Sequence, residues 1–322
     1  MKKTSLFFVL LIFSAALFAQ TISELVFFGD SLTDNGNLYN AVKKFVPKDP
    51  PYYKGRFSNG PVWADFMSVY FNEKYGTQTQ NYAVGGATVV WRSIFDPAVP
   101  YYLKQEVNSY VKSSSATNKD SVLYSLWIGA NDYMDETKQP VDLLVKEVID
   151  ELVIQIRELI EHGGKNFVII DLPDLSKSPY AKTISQEQKD RLKLLSQLHH
   201  EKLLDAVHFL RKVYPAFHFI YVDGYDMFND MTTNIQSYNQ KYNKHIVNLT
   251  DSCWPGGYRG IHQNMDSTSL SIANDVAIAQ SLGVIPCNNP DDYLFWDSVH
   301  PSVVIHEIFA NMVIETIERE LT

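Results

Sequence analysis

The sequence has no block of basic residues and none of the common nucleotide-binding motifs. Among its 322 residues, 28 Lys and Arg stand against 37 Asp and Glu, which gives a formal net charge of −9. Because nucleic-acid surfaces neutralise phosphates with clustered Lys and Arg, this balance argues against a nucleic-acid partner. The P-loop, the dinucleotide fingerprint and the G-x-S-x-G elbow are absent, and His306-Glu307 lacks the second His of a zinc helix.

Cysteine is scarce, with only Cys253 and Cys287 present. Their spacing fits neither C-x-x-C redox chemistry nor a zinc cluster. In an oxidising compartment an even pair predicts one disulfide, which would close a loop of roughly 34 residues and stabilise the fold by about 3–4 kcal/mol. The alternative is two free buried thiols.

Long apolar runs are confined to the N-terminus, where Lys2 and Lys3 precede the run Leu6–Phe18. This run is shorter than the roughly 20 residues that a membrane-spanning helix needs, and it matches a secretory signal peptide. We expect cleavage after Ala19 and a secreted or periplasmic mature chain of residues 20–322. The alternative is an uncleaved N-terminal anchor.

Short β-rich runs alternate with longer amphipathic segments, a pattern typical of a parallel sheet covered by helices. The predicted strands are Glu24–Gly29, Gln80–Val84, Ser121–Ile128, Asn166–Leu172 and Phe217–Asp223. The predicted helices are Pro61–Glu73, Val141–His162, Ser185–Tyr214 and Val303–Leu321. The pattern predicts a single doubly wound α/β domain.

Residues 239–290 break this alternation. The segment is rich in Asn, Gly, Ser and Asp, and the two cysteines bracket most of it. Long irregular insertions in compact domains are usually functional or mobile. We therefore expect a lid-like insertion near the active site and no second domain.

Reactive side chains are expected at the carboxyl ends of the strands, where open α/β sheets bind ligands. Ser31 follows the first strand in Gly29-Asp30-Ser31-Leu32, and an exposed serine there can be a nucleophile if a base reaches its hydroxyl. Alone, this tetrapeptide is better explained by a helix N-cap. The second strand is followed by Gly85-Gly86, which can direct a backbone N–H into a site, and the third by Asn131, whose amide can donate to an oxyanion. Plain turns are the alternative for both.

A histidine with an acidic partner occurs near the C-terminus, in Asp297-Ser298-Val299-His300-Pro301. Pro301 disfavours helix at His300, so Asp297 can bond the imidazole Nδ1 and leave Nε2 for a serine. The alternative is a solvated loop histidine. The other eight histidines have no comparable carboxylate beside a strand end in the predicted topology.

Together and in this order, four segments resemble the four blocks of the GDSL (SGNH) hydrolase superfamily: Gly29–Leu32, Asn81–Ala87, Gly129–Asp132 and Asp297–His300. Residues 55–65 are also similar to a stretch shared by bacterial secreted phospholipases and acyltransferases, akin to glycerophospholipid:cholesterol acyltransferase, and by plant GDSL lipases. The resemblance implies a three-layer αβα sandwich, flavodoxin-like, around a five-stranded parallel sheet.

The resemblance also implies roles, residue by residue. Ser31 would be the nucleophile, His300 the general base and acid, and Asp297 the group that orients His300. The oxyanion donors would be the N–H groups of Ser31 and Gly86 and the side chain of Asn131. Gly86 is preferred to Gly85 because the family's donor lies five residues after the block's Asn. No metal and no organic cofactor is implied.

The expected function is acyl-ester hydrolysis of lysophospholipids or phospholipids (lysophospholipase A or phospholipase A), with possible acyl transfer to a sterol or another alcohol, during transient contact with a membrane surface. In this group, nicking of a disulfide-bracketed loop relieves inhibition, so an activating protease is a candidate partner. Aromatic residues that could line an acyl slot, or equally belong to the core or rim, are Phe27, Phe28, Tyr52, Tyr53, Phe57, Trp63, Trp91, Tyr133 and Trp296. The alternatives are a carbohydrate O-acetylesterase of the same superfamily and a non-catalytic secreted lipid- or glycan-binding protein.

Overall fold

The structure is a computed structural model, and it describes residues 22–91, 102–114, 119–134, 138–256 and 283–321. The signal peptide expected at residues 1–19 lies outside these ranges. The strands are β1 Glu24–Gly29, β2 Gln78–Asn81, β3 Val122–Trp127, β4 Asn166–Ile170, β5 His218–Val222, β6 Asn248–Ser252 and β7 Tyr293–Phe295. The helices are α1 Asn37–Ala41, α2 Trp63–Tyr75, α3 Leu103–Ser113, α4 Ala130–Met134, α5 Val141–Glu161, α6 Gln186–Val213, α7 Gly224–Thr233, α8 Ile235–Tyr242 and α9 Val303–Leu321.

A five-stranded parallel sheet in the order β2-β1-β3-β4-β5 forms the centre of the molecule. Every residue of β1, β3 and β4 is buried, as expected for strands covered by helices on both faces. The register places Gly29 at the end of β1 opposite Trp127 at the end of β3. The segments that follow these two strands therefore begin side by side at the carboxyl edge.

Helices form the outer layers. Helix α5 packs against α6 and α3, and α2 packs against α9. The apolar faces of these helices and the sheet residues form one hydrophobic cluster that includes Phe27, Trp63, Tyr124, Leu159 and Phe167. This arrangement is the α/β fold with a five-stranded parallel sheet that the sequence predicts.

The structure differs from the prediction in two places. Strand β2 ends at Asn81 and not at Val84. The Asn81 side chain there accepts from the Ala83 N–H and donates to the Thr33 carbonyl, which ties the end of β2 to the segment after Ser31. The region expected to be irregular from residue 239 contains β6, which pairs in parallel with β7. The β6 sequence, Asn-Leu-Thr-Asp-Ser, carries no apolar alternation that would have indicated a strand.

Cys253 and Cys287 form a disulfide. The backbone beside it is tied to β7, since the Cys253 N–H donates to the Phe295 carbonyl at 3.1 Å and the Trp254 N–H to the Trp296 carbonyl at 2.6 Å. The disulfide predicted from the two cysteines is therefore present, and the alternative of two free buried thiols is wrong. Residues 257–282 of the predicted insertion lie outside the described ranges. Among the helices that the structure describes, none combines the length and hydrophobicity needed to cross a membrane.

Candidate active site

Ser31, His300 and Asp297 lie in line at the carboxyl edge of the sheet. The His300 Nε2 atom is 2.8 Å from the Ser31 Oγ atom, and the His300 Nδ1 atom is 2.7 Å from Asp297 Oδ2. Ser31 is only 8% exposed, so it is less accessible than the exposed serine expected from its position after β1. The structure thus brings together residues 269 positions apart in hydrogen-bonding geometry for proton transfer from serine to histidine.

Donors surround the carboxylate of Asp297, which is fully buried. Its Oδ1 atom accepts from the backbone N–H groups of Val299 and His300 at 2.9 and 2.8 Å. Its Oδ2 atom accepts from the hydroxyl of Tyr52 at 2.6 Å. These donors fix both oxygens of the carboxylate, so Asp297 is held in the orientation in which it bonds His300 Nδ1.

Tyr52 is a site residue that sequence reasoning missed. The sequence suggested only that its ring could line an apolar slot, whereas the buried side chain directs its hydroxyl at Asp297. The two residues are 245 positions apart, and no local pattern signals the contact. Phe57 lies beside the same pair, with its ring centroid 5.1 Å from that of His300.

The three predicted oxyanion donors lie on adjoining segments. In the described part of the chain, the N–H groups of Ser31 and Gly86 have no hydrogen-bond acceptor. The N–H of Gly85, in contrast, donates to Asp34 Oδ2 at 2.7 Å, so Gly86 is the glycine left to donate to a ligand. The Asn131 Nδ2 atom donates one hydrogen to the Ala87 carbonyl at 2.9 Å, and its second amide hydrogen remains available.

Two buried carboxylates hold these segments together. Asp34 accepts from the N–H groups of Gly36, Asn37 and Leu38 and from that of Gly85, which joins the Ser31 segment to the glycine segment. Asp132 accepts from the N–H groups of Val89 and Val90 at 2.8 and 3.1 Å, which joins the Asn131 segment to the same glycine segment. The donors are thereby held in place before any substrate arrives.

Asp30 and Glu106 are buried acids with few donors. Burial raises the pKa of Asp30 to about 7, since the Leu32 N–H and the nearby His300 offset only part of the desolvation and the Oδ2 atom has no hydrogen-bond partner in the described chain. Burial likewise raises the pKa of Glu106 well above its usual value, although Glu106 accepts from the Gly29 N–H at 2.9 Å. Both acids thus favour the neutral form beside the nucleophile segment.

Six of the nine aromatic residues considered for an acyl slot fall into two groups of buried rings. Phe27, Phe28 and Trp63 are fully buried in the hydrophobic core, where they support β1 and α2, so they do not line a slot. Tyr52, Phe57 and Trp296 form a contiguous group of rings beside the Asp297–His300 segment, with centroids 6.2 and 6.4 Å from Tyr52. Trp91 is half exposed.

Comparison with known proteins agrees with this geometry. Residues 25–313 match the family model for GDSL-like lipase/acylhydrolase proteins. The chain is 29% identical to a phosphatidylcholine-sterol acyltransferase of Aeromonas hydrophila, over 92% of this chain and 91% of that protein. It is 30% identical to the secreted effector protein SseJ of Salmonella typhimurium, over 91% of this chain but 63% of that protein.

Among solved structures, a lipolytic G-D-S-L family protein from Veillonella parvula aligns over 92% of this chain and 98% of that chain, with a TM-score of 0.45 and 15% identity. The family model covers most of the chain, including the segments that carry Ser31, Gly86, Asn131 and His300. The chain belongs to the GDSL-like lipase/acylhydrolase family.

Proposed function

We propose that this protein is an exported serine acylhydrolase of lysophospholipids and phospholipids, with Ser31 as nucleophile, His300 as base and acid, and Asp297 as the residue that orients His300. The observation that carries the proposal is the 2.8 Å contact between Ser31 Oγ and His300 Nε2, with Asp297 bonded to the other ring nitrogen. A lipid- or glycan-binding protein without catalysis would not need this alignment.

The first half of the reaction forms an acyl-enzyme. The Ser31 Oγ atom attacks the ester carbonyl carbon while His300 Nε2 takes the hydroxyl proton, and Asp297 stabilises the imidazolium. The N–H groups of Ser31 and Gly86 and the Asn131 amide donate to the oxyanion of the tetrahedral intermediate. When this intermediate collapses, the C–O bond to the alcohol breaks and the departing alcohol receives the proton from His300.

The second half releases the acyl group. A water molecule attacks the acyl carbon while His300 takes one of its protons, and collapse of the second intermediate returns the proton to Ser31 and frees the carboxylic acid. If an alcohol such as a sterol attacks in place of water, the same steps produce a new ester. The acyltransferase that matches over 91% of its own length supports this second outcome.

One observation favours a lipid substrate. The relative from Aeromonas hydrophila carries a phospholipid in its name and aligns over nearly its whole length. The rings of Tyr52, Phe57 and Trp296 do not add to it, because all three are buried in the same hydrophobic cluster as Phe27.

The test is hydrolysis of lysophosphatidylcholine by the wild-type protein and by Ser31→Ala. We expect fatty-acid release by the wild type and none above background from the variant. A parallel series of p-nitrophenyl esters should show preference for long chains over acetate. Strong preference for acetate would indicate a carbohydrate O-acetylesterase, and full hydrolysis by Ser31→Ala would refute the serine mechanism.

Export and loop cleavage are separate parts of the proposal. N-terminal sequencing of the protein recovered from the medium or periplasm should give a chain beginning at Gln20. Because the base of the disulfide-closed loop bonds to Trp296, next to Asp297, cutting within that loop should alter activity. Lipid hydrolysis measured before and after limited proteolysis tests this point, and unchanged rates after complete cleavage would argue against a regulatory loop.

A further inference from the structure

A second cluster of ionisable groups lies at the same edge of the sheet, at the ends of β4 and β5, the two strands that follow β3 in the sheet order. Asp171 follows β4, Asp223 follows β5, and His200 projects from α6 between them. The His200 Nδ1 atom is 2.7 Å from Asp171 Oδ2 and 3.8 Å from Asp223 Oδ1. This corrects the expectation that only His300 has a carboxylate beside a strand end, because α6 brings a distant histidine to β4.

The three groups are close enough to share one ion. One ligand atom from each of Asp171, His200 and Asp223 lies within 4.8 Å of the others. Asp171 is fully buried, whereas the side chains of His200 and Asp223 are 22% and 35% exposed, so solvent reaches one side of the cluster. The stacking of His200 on Tyr225, at 5.0 Å between centroids, fixes the plane of its ring.

An unpartnered nitrogen points at the same cluster. The His199 Nε2 atom is buried, has no hydrogen-bond partner in the described chain, and lies 3.8 Å from Asp171 Oδ1. The other ring nitrogen, Nδ1, is 2.8 Å from the Tyr133 hydroxyl, which holds the imidazole in this orientation. Leaving a buried polar atom without a hydrogen bond destabilises the fold, and a ligand at the cluster would offset this cost.

In the described part of the chain, only histidines pair with the carboxylates of the cluster. Neither Asp171 nor Asp223 forms an ion pair with a lysine or arginine of the described ranges. Asp226 lies one helical turn from Asp223 and adds a third carboxylate, with its N–H bonded to Asp223 Oδ1 at 2.9 Å. A divalent cation would supply the positive charge that these carboxylates lack.

We propose that Asp171, His200 and Asp223 form a binding site for a divalent transition-metal cation of the zinc class, with His199 as the nearest additional nitrogen donor. Imidazole and carboxylate ligands together favour Zn²⁺, whereas Ca²⁺ and Mg²⁺ prefer all-oxygen sites. The ion would replace the proton that His200 shares with Asp171 and would link α6 to the ends of β4 and β5. The site is separate from Ser31 and takes no part in ester hydrolysis.

The experiment is titration of the chelator-treated, desalted protein with ZnCl₂ by calorimetry, with ester hydrolysis as a check of folding. We expect one Zn²⁺ per chain, a higher melting temperature with Zn²⁺, and weaker binding of Ca²⁺ and Mg²⁺. Asp223→Asn and His200→Gln should each weaken Zn²⁺ binding at least tenfold. Asp223→Asn is the safer variant, because Asn also caps a helix such as α7.

His245→Gln is the matched control. His245 forms a comparable pair with Asp292 at 2.9 Å, but its side chain is 79% exposed and it is not part of the cluster. Zn²⁺ binding by this variant should equal that of the wild type. The proposal is overturned if the wild-type protein binds no Zn²⁺, if Asp223→Asn binds it unchanged, or if Ca²⁺ or Mg²⁺ binds more tightly than Zn²⁺.

Discussion

Two Asp–His pairs with nearly the same construction stand at one edge of this sheet. In each, the carboxylate is fully buried, bonds a histidine Nδ1 at 2.7 Å, and accepts from a tyrosine hydroxyl: Tyr52 for Asp297 and Tyr221 for Asp171. Each also accepts a backbone N–H, from His300 in one case and Leu172 in the other.

The two pairs differ in the groups that surround them. The Nε2 atom of His300 meets Ser31, and the donors of Gly86 and Asn131 stand on adjoining segments. His200 has a second carboxylate, Asp223, within 3.8 Å and no serine hydroxyl bonded to its ring in the described chain. An Asp–His pair therefore does not define a catalytic site by itself. In our proposal, the neighbouring hydroxyl and N–H donors make one pair suited to acyl transfer, and the second carboxylate makes the other suited to cation binding.

The largest expected effect is the difference in activity between His300→Ala and His200→Ala. His300→Ala should lower kcat for a p-nitrophenyl ester by about 10⁴-fold or more, as removal of a triad base typically does, because no group then takes the Ser31 proton. His200→Ala should stay within about twofold of wild type if it folds. Steady-state kinetics on both variants checks this, and equal losses from the two would break the distinction between the pairs.

Asp30 is a third buried carboxylate for comparison, and in the described chain it accepts no hydrogen bond from a tyrosine or a histidine. The pKa of Asp30 is about 7 in the folded protein against 3.8 for an unperturbed aspartate, so between these pH values the native state holds a proton that the unfolded state releases. The contribution of Asp30 to the free energy of unfolding should be fully present below about pH 4. It should fall by up to about 4 kcal/mol as the pH rises to 7.

Urea unfolding of wild type and Asp30→Asn at several pH values measures this effect. Asn keeps an acceptor for the Leu32 N–H but has no proton to lose, so its free energy of unfolding should fall less between pH 4 and 7. Parallel pH dependences for the two proteins would show that Asp30 is ionised in the native state.

The next largest effect is expected at Asn131, the predicted side-chain donor to the oxyanion. Asn131→Ala should lower kcat by about 10²–10³-fold with little change in KM, since the amide acts on charge that develops in the transition state. The contact of Asn131 with the Ala87 carbonyl provides a structural alternative, so the melting temperature should be measured as well. A loss confined to KM would mean that Asn131 binds the ground state.

The smallest effect concerns the two tyrosines. Tyr52→Phe removes the hydroxyl bonded to Asp297 and should lower kcat about tenfold with KM nearly unchanged, because a hydrogen bond to a charged group is typically worth about 1.5 kcal/mol. Tyr221→Phe, the matched change at Asp171, should leave both constants as in wild type. Similar kinetics for the two variants would show that Tyr52 does not act through Asp297.

Much of the fold was predictable because it depends on local patterns. Strand β1 has the predicted bounds, and the other four strands of the sheet and the four long helices are found within a few residues of theirs, since apolar periodicity reflects burial on a sheet or helix face. Strand β6 was not predictable, because polar residues form it through pairing with β7, some 40 positions later.

Some residues of the candidate site were likewise predictable from the sequence, and others were not. Ser31, Asn131 and His300 follow from motifs at strand ends, and the structure brings them together. The bonds of Tyr52 to Asp297, of Asp34 to Gly85 and of His200 to Asp171 join residues that only the tertiary fold brings together, so no local spacing indicates them. The sequence left open whether Phe27 and Trp63 line a slot or belong to the core, and the structure places both in the core.

The account depends most on Ser31 being an activated nucleophile. Treatment of the wild-type protein with a fluorophosphonate, followed by peptide mass spectrometry, measures this directly. We predict one adduct per chain, located on Ser31 and lost in His300→Ala. No adduct on the folded wild-type protein, or an adduct on another serine, would contradict the account.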